Sequence, residues 1–378
     1  MRNFDMNWLI GTQISDFKEK YWQKNFFQRK KRVNNVNELL SLKDINDVIV
    51  WSKFNDLAIA KNNKIIPSST YGYGKDTHTV FQLFTNGCSL IFDKLNESLP
   101  KLDFFVENLS KQIPYQKSIL TNVYLTPDNS QTFNLHCDWQ DVFVIQVAGS
   151  KKWDVYKPKI ENPINDTQCD QYITDITNEN LIYSQVLEKG DVIYIPRGFP
   201  HEVKTNEEFS LHITLTCIPY TIKDIIEFQI SEKSNTIEDL RKPITGDSID
   251  FKDIIHNIFN DKINHNFSDN FKYNPSDLNR IELNNFFINR LEIGNLDFFH
   301  STFRKSSFAN IDFLTENQVK IHSPFEKVNL ENANKELKTI FEEKKTFKIS
   351  DLSGHLNQTE KMQLVQFLVQ NNFIYKCE

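Results

Sequence analysis

Hydrophobic and polar positions change their spacing along the chain, and each change predicts a different kind of element. In the first hundred or so residues, 14–21 carries Phe17 and Tyr21 four apart and reads as an amphipathic helix. The segments 36–42 and 44–51 fit short helices, and 89–95 and 104–113 read as helices packed outside a sheet. Val80-Phe81-Gln82-Leu83-Phe84 alternates and predicts a strand. The middle of the chain has strand patterns. Residues 192–195 form a β-rich run between a polar turn around Lys189 and Gly190 and the stop Pro196-Arg197-Gly198-Phe199-Pro200, and 210–216 alternates strictly. After Pro219 the spacing is helical again, with Ile222, Ile225, Ile226 and Ile230, then Ile254, Ile255, Ile258 and Phe259. Such stripes pack against another helix, either within the chain or across a two-fold dimer. The last segment reads as helix 337–342, β-run 346–349, helix 358–370 and strand 373–375.

The predicted fold class is therefore α+β, and a length of 378 residues suits two or three domains at roughly one per 150 residues. The strand-rich part is broken between 159 and 183 by a polar stretch bearing Asp166, Asp170, Asp175 and Glu179. Long segments of this kind act as lids or binding loops, or are plain surface excursions.

The candidate chemistry lies on either side of that insertion. His136 and Asp138 stand two apart, and His201 ends the Pro-Arg-Gly-Phe-Pro turn. Two neutral imidazoles and one carboxylate are the facial set that holds Fe(II) and leaves positions open for oxygen chemistry. On an extended strand His136 and Asp138 share a face while Cys137 points away. His201 returns to that face if the sheet folds over as a barrel. An isolated His-x-Asp occurs often by chance; coupled to the turn, strand and His201 it gains weight.

The stretch Thr121-Asn122-Val123-Tyr124-Leu125-Thr126-Pro127, then Phe133, His136, Asp138, Asp141, Phe143, Gln146, Gly149, Lys151 and Trp153, resembles the JmjC-type 2-oxoglutarate oxygenases, and within them the ribosomal oxygenase branch. The resemblance is dense over 120–158 and 187–216. It implies a double-stranded β-helix, the cupin or JmjC jelly-roll barrel, over 1–220 with an N-terminal α/β prelude. A helical dimerisation region would follow over 221–292, and a winged-helix-like module over 293–378. It implies His136, Asp138 and His201 as iron ligands and catalytic centre, with Fe(II), 2-oxoglutarate and O2 as cofactor and co-substrates. Lys151 would pair with the distal carboxylate of 2-oxoglutarate, Tyr124 would donate its hydroxyl to the same group, and Asn122 would share the face of Tyr124. Ser210, His212 and Thr214 would line one face of the closing strand, with Ser210 and Thr214 counted among the co-substrate pocket residues. Trp153 and Phe143 read as packing residues, and Asp141 as part of the site wall or a turn end.

Composition narrows the partners. A net charge of −6 disfavours general binding to phosphate backbones and leans towards a basic protein or peptide. The cluster Arg29-Lys30-Lys31-Arg32 is short enough to be a solvated loop. The predicted second helix of the C-terminal module, Gln358-Thr359-Glu360-Lys361-Met362-Gln363, lacks the basic charge of a nucleic-acid reader, so protein contact or a structural role fits it better. No apolar run reaches the roughly 20 residues that cross a bilayer, and the expected location is cytoplasmic. Five scattered cysteines without a C-x-x-C pair are expected as reduced thiols. The expected activity is hydroxylation of a side chain in a protein or peptide, possible substrates being a ribosomal protein or the precursor of a ribosomally made natural product. The opposing class is a cupin binding protein or scaffold without turnover.

Overall fold

The computed structural model describes residues 4–30, 34–52, 56–113, 116–243, 294, 296–306, 309–322, 327–343 and 346–377. The chain divides into two units, Met1–Tyr273 and Asn274–Glu378. The first contains β1 (Phe27–Arg29), β2 (Leu57–Lys61), β3 (Lys64–Ile66), β4 (Ser89–Phe92), β5 (Gln116–Thr126), β6 (Asp141–Tyr156), β7 (Leu181–Glu188), β8 (Val192–Ile195), β9 (His201–Lys204) and β10 (Ser210–Pro219). The main path runs β1-β8-β6-β10-β5-β4-β2-β3, with β7 and β9 both paired to β6.

β6 explains the architecture. Its first half pairs with β8 and β10, and its second half with β7 and β9, so one strand belongs to two sheets. The Val142-Phe143-Val144-Ile145 run is buried on both faces. Phe143 and Ile145 enter the larger core, while Val142 and Val144 join Trp153, Val155, Leu187, Ile193 and Ile195 between the sheets. The strand turns the corner at Gly149, where φ is +63° and an added Cβ would lie 1.8 Å from the Phe209 carbonyl oxygen. Only glycine fits there. The β6–β10 ladder slips by one residue between Leu211 and His212. Inward positions therefore change from even to odd numbers, and Gln146 comes to share a face with Lys151 and Trp153.

The outer face of this sheet is covered by α1 (Met6–Ile10), α2 (Ile14–Lys20), α3 (Val36–Leu39), α4 (Leu42–Trp51), α5 (Thr77–Thr85) and α6 (Pro100–Ser110). Phe17 of α2 is fully buried among Tyr21, Trp22, Phe27, Phe143 and Tyr194, with ring centroids 5.2–6.4 Å apart. Each such aromatic pair adds about 0.5–1.5 kcal/mol beyond area burial, enough to fix the N-terminal segment to the sheet.

Two expected elements change type. Residues 80–84 belong to helix α5, capped by the Asp76 carboxylate, which accepts from Thr79 N–H. Val80, Leu83 and Phe84 are its inward positions, an i, i+3, i+4 set that a five-residue alternation conceals. Residues 89–92 form strand β4 rather than a helix, because Leu90, Ile91 and Phe92 are buried on both faces and show no period. The β2–β3 hairpin, not read from the sequence, turns at Asn62-Asn63, both with positive φ.

After β6, the insertion contains α7 (Asp166–Asp170) and short turns. Helix α8 (Ile222–Ser234) follows β10 as expected, with Ile222, Ile226 and Ile230 exposed. Ile254, Ile255, Ile258 and Phe259 lie outside the described residues, as does most of 221–292.

In the second unit β11 (Phe303–Lys305) pairs with the terminal strand β15 (Ile374–Lys376), and β12 (Asn310–Phe313), β13 (Gln318–His322) and β14 (Lys327–Glu331) form a meander. Helix α9 (Asn334–Lys338) continues through Glu343. Helix α10 (Gln358–Gln370) has a capping box formed by Asn357 and Glu360. The expected β-run 346–349 reduces to a bridge between Phe347 and Phe303. The meander was not read from the sequence.

Candidate active site

The loop between β5 and β6 carries His136 and Asp138, and β9 begins with His201. His136 does not lie on a strand. It forms a single antiparallel rung with His201: His136 N–H donates to the His201 carbonyl at 3.1 Å, and His201 N–H donates back at 2.7 Å. On its other edge His201 pairs with Val155 of β6, so the rung is anchored to the long strand. Asp138 is held by its carbonyl, which accepts from Gly198 N–H at 2.8 Å. The expectation that one extended strand presents both ligands is corrected accordingly. The chain leaves the ladder after one rung, and the turn before His201 holds Asp138.

One ligand atom from each of His136, Asp138 and His201 lies within 4.8 Å of the others. Both imidazoles are aimed by backbone. His136 Nδ1 is 2.8 Å from Asn134 O and His201 Nδ1 is 3.1 Å from Phe199 O. A carbonyl only accepts, so each Nδ1 carries the proton and each Nε2 lone pair is free. Burial, and next the adjacent His136, push His201 down to about 4, keeping it neutral at neutral pH. Trp153 stacks on the His201 ring with centroids 5.8 Å apart.

The second half of the site is strand-borne. Lys151 on β6 is 1% exposed, and its Nζ donates to Thr126 Oγ1 at 3.1 Å. Burial alone pulls its ammonium down to about 7. The neighbouring Lys152 points the other way, as alternation requires, and pairs with Asp154. Across the β5–β10 ladder Thr126 faces Ser210, Tyr124 faces His212 and Asn122 faces Thr214. The Tyr124 and His212 rings stack at 4.9 Å and 4°. Burial first, then Asp138, raises the Tyr124 phenol, so it remains a donor. Burial first, then Lys151, drives His212 far below the usual imidazole range, so it stays neutral. Ser210 Oγ accepts from the Gln146 amide at 2.9 Å. Asn122 shares the face of Tyr124 but already accepts from Lys94 N–H through Oδ1. Thr126 was missed as a Lys151 partner, although the Asn122, Tyr124, Thr126 alternation pointed to it.

Asp141 is fully buried at the start of β6 and accepts from Tyr194 Oη at 2.7 Å, Gln23 Nε2 at 3.3 Å and Arg197 N–H at 3.4 Å. Arg197 donates through Nε to Asn162 at 3.2 Å. Of the basic cluster, Lys30 pairs with Asp191 and Arg29 donates to the Leu9 carbonyl; Lys31 and Arg32 lie outside the described residues. The reduced-thiol expectation is corrected for one pair, since Cys137 and Cys169 form a disulfide with Cα atoms 5.6 Å apart. Their separation of 32 residues carries no motif. Cys88, Cys217 and Cys377 are free.

These residues fit an iron(II) centre with a dicarboxylic 2-oxo acid beside it. The ligand set is two neutral nitrogens and a carboxylate. The buried Lys151 ammonium meets a neutral hydroxyl and no carboxylate among the described residues, and an uncompensated buried charge calls for an anion.

Residues 100–225 match the family model of the JmjC domain. Among curated proteins the chain is 30% identical over 219 residues to the bifunctional lysine-specific demethylase and histidyl-hydroxylase NO66 of Drosophila mojavensis, covering 56% of this chain and 24% of that protein. It is 26% identical over 221 residues to the protein of the same name from Dictyostelium discoideum, covering 54% and 41%. The chain thus spans well under half the length of these relatives. Among solved structures it is similar to the ribosomal oxygenase YcfD of Escherichia coli, at a TM-score of 0.57 and 15% identity over 98% of this chain and 99% of that one. A YcfD structure with cobalt and 2-oxoglutarate aligns at a TM-score of 0.56 and 14% identity, over the same shares. These likenesses establish the JmjC-type cupin fold expected from the sequence.

Proposed function

We propose that this chain, whose residues 100–225 form a JmjC domain, is an Fe(II)- and 2-oxoglutarate-dependent dioxygenase that hydroxylates a side chain in a protein or peptide. The observation that carries the reading is the pairing of a three-residue metal-ligand set with a buried lysine that has no anionic partner among the described residues, within one strand framework. The names of the relatives support a protein side chain as the substrate class: one group is called bifunctional lysine-specific demethylase and histidyl-hydroxylase, and the other ribosomal oxygenase. A ribosomal protein is the leading substrate. A natural-product precursor peptide is the second reading; a basic segment of either substrate would dock on the acidic insertion, whose Asp166 and Asp170 stand exposed.

When bound, iron(II) and the 2-oxo acid supply activation of dioxygen for oxidation of a C–H bond. The chain's own residues do the rest. His136, Asp138 and His201 would hold the metal from one side and leave the opposite positions open. Lys151 would bind the distal carboxylate by a charge-assisted hydrogen bond, about twice as strong as a neutral one. Tyr124 would donate to the same carboxylate. Thr126 holds the ammonium in place, Ser210 and His212 wall the pocket beside it, and Asn122 and Thr214 continue that face. The apolar cluster around Val144, Ile193 and Trp153 keeps water from the metal-facing side of β6.

The wider expectations belong to the same proposal: an oxygenase domain over 1–220, a helical dimerisation region over 221–292 through which two copies associate, a winged-helix-like module over 293–378, and a cytoplasmic location. Among the described residues no helix is long and apolar enough to cross a membrane. The deciding experiment is an anaerobic titration of the metal-free protein with Fe(II) and then 2-oxoglutarate. The visible charge-transfer band of the chelate should form in the wild type and not in His136→Ala. If no band forms and calorimetry detects neither metal nor 2-oxoglutarate, the barrel is a binding module.

A further inference from the structure

We infer that the Cys137–Cys169 bond is a thiol–disulfide site that fastens the 159–180 insertion beside the metal ligands, and that its redox state decides whether the insertion is held there. Cys137 stands between His136 and Asp138, and Cys169 lies on α7. From Ile164 to Asn180, Cys169 is the one buried residue. The hydrogen bonds of 164–179 stay within the insertion: Ile164 N–H to Gln168, Gln168 N–H to Asn165, Gln171 N–H to Thr167 and Thr177 N–H to Asn180. The segment rejoins the body at its ends. Arg197 reaches Asn162, and the Asn180 carbonyl accepts from Lys157 N–H at 2.8 Å. Between those ends the disulfide is the only cross-link to the rest of the chain among the described residues.

The placement makes the bond consequential. A segment with few buried side chains and self-contained hydrogen bonds opens at low free-energy cost unless something covalent holds it. This one carries Asp166 and Asp170 next to the loop that bears His136 and Asp138. The carboxyl of Asp166 is raised by desolvation first and then by Asp138, which places α7 within electrostatic reach of the ligand set. The chemistry is a two-electron exchange with a small dithiol or disulfide. A dithiol such as dithiothreitol gives up two electrons and two protons and closes to its cyclic disulfide, leaving Cys137 and Cys169 as thiols. Oxidised glutathione runs the reverse, taking two electrons and two protons to become two glutathione molecules. Cys137 is not among the three ligand residues, so the exchange leaves all three ligand side chains in place.

The test uses the full chain, incubated with either oxidised glutathione or dithiothreitol, followed by alkylation under denaturing conditions and by hydrogen exchange of 164–180. After oxidation a peptide linking 137 to 169 should appear and two of the five cysteines should resist alkylation. Reduction should speed exchange in 164–180 by about tenfold or more, while β5 and β6 stay unchanged. Cys169→Ser should exchange at the fast rate in both conditions, and Cys137→Ser should match it. Five reactive thiols after oxidation, a bond to another cysteine, or exchange in 164–180 indifferent to reduction would each overturn the inference. None of these readouts needs turnover, so the site stands or falls separately from the oxygenase reading; only its effect on substrate access rests on that reading.

Discussion

The metal end and the anion end of the site are built in opposite ways. His136 and Asp138 sit on irregular backbone, held by one two-bond rung and one carbonyl contact, and the Asp138 side chain is 33% exposed. Lys151, Thr126, Tyr124, His212 and Ser210 sit on three regular strands, and their facing is set by ladder register. Loop-borne ligands leave coordination positions and approach space open. Strand-borne pocket residues give a fixed, dry charge. On the proposed function, the loop is the reacting end and the sheet is the recognition end.

The largest expected effects separate the two ends by what each does to stability. His136→Ala should abolish Fe(II) binding and leave the melting temperature nearly unchanged, because a half-exposed loop side chain carries little of the core. Lys151→Met should instead raise stability. Removing an uncompensated buried ammonium and filling its volume should stabilise the co-substrate-free protein by about 1–4 kcal/mol. The same substitution should weaken 2-oxoglutarate by about 30-fold or more, the usual cost of about 2–5 kcal/mol for truncating one side of a buried charged pair. Thermal unfolding and calorimetry check both; a lower melting temperature for Lys151→Met would break the contrast.

Gly149→Ala should come next, at about 3 kcal/mol or more, since it combines a positive-φ penalty with a backbone clash that no rotamer relieves. It acts at the corner of β6, and urea unfolding should show it.

A third test uses pH. Lys151 has a folded value of about 7 against an ordinary 10.5. Between these values the unfolded chain binds the extra proton, so stability should rise with pH through that window, by up to about 1.4 kcal/mol per pH unit. Below 7 both states hold the proton and the slope disappears. Bound 2-oxoglutarate needs the ammonium, so its affinity should fall by up to about tenfold per unit above pH 7. Lys151→Met should remove both slopes, and the difference between wild type and variant isolates this one group from other titrations.

Legibility in the sequence followed the same division. Strand alternation put Asn122 with Tyr124 and Ser210 with His212 and Thr214 on shared faces, because register on a regular strand is a local property. The same logic misplaced His136 and Asp138 on a strand, since a single rung followed by a turn looks like a strand of three residues. Elements buried on both faces lost their period, which is why β4 read as a helix. The Cys137–Cys169 bond joins residues brought together only by the folded insertion. The JmjC resemblance supplied what local patterns lacked, above all the association of Lys151 with a carboxylate, and the isolated Lys151 ammonium is an independent reason for that association.

The smallest effect is expected where the two ends meet. Asp141 starts β6 and binds the backbone of Arg197, four residues before His201, so it ties the strand to the turn that aims the metal end. Burial raises its carboxyl above the ordinary value, with the Tyr194 hydroxyl pulling it back. In Asp141→Asn the amide oxygen can keep the Tyr194 and Arg197 bonds, and the new N–H₂ meets Gln23 once that side chain turns its carbonyl inward. Losing one charge-assisted bond while relieving a buried charge should cost about 1 kcal/mol or less. Asp141→Ala takes the acceptor from the Tyr194 hydroxyl proton and the Arg197 N–H and should cost about 1–3 kcal/mol. If the joint matters for the metal end, Asp141→Ala should weaken Co(II) binding severalfold while 2-oxoglutarate recognition by Lys151 in the metal-loaded protein changes less. Equal losses at both ends would mean that Asp141 supports the barrel as a whole, and that loop and sheet are less separable than their construction implies.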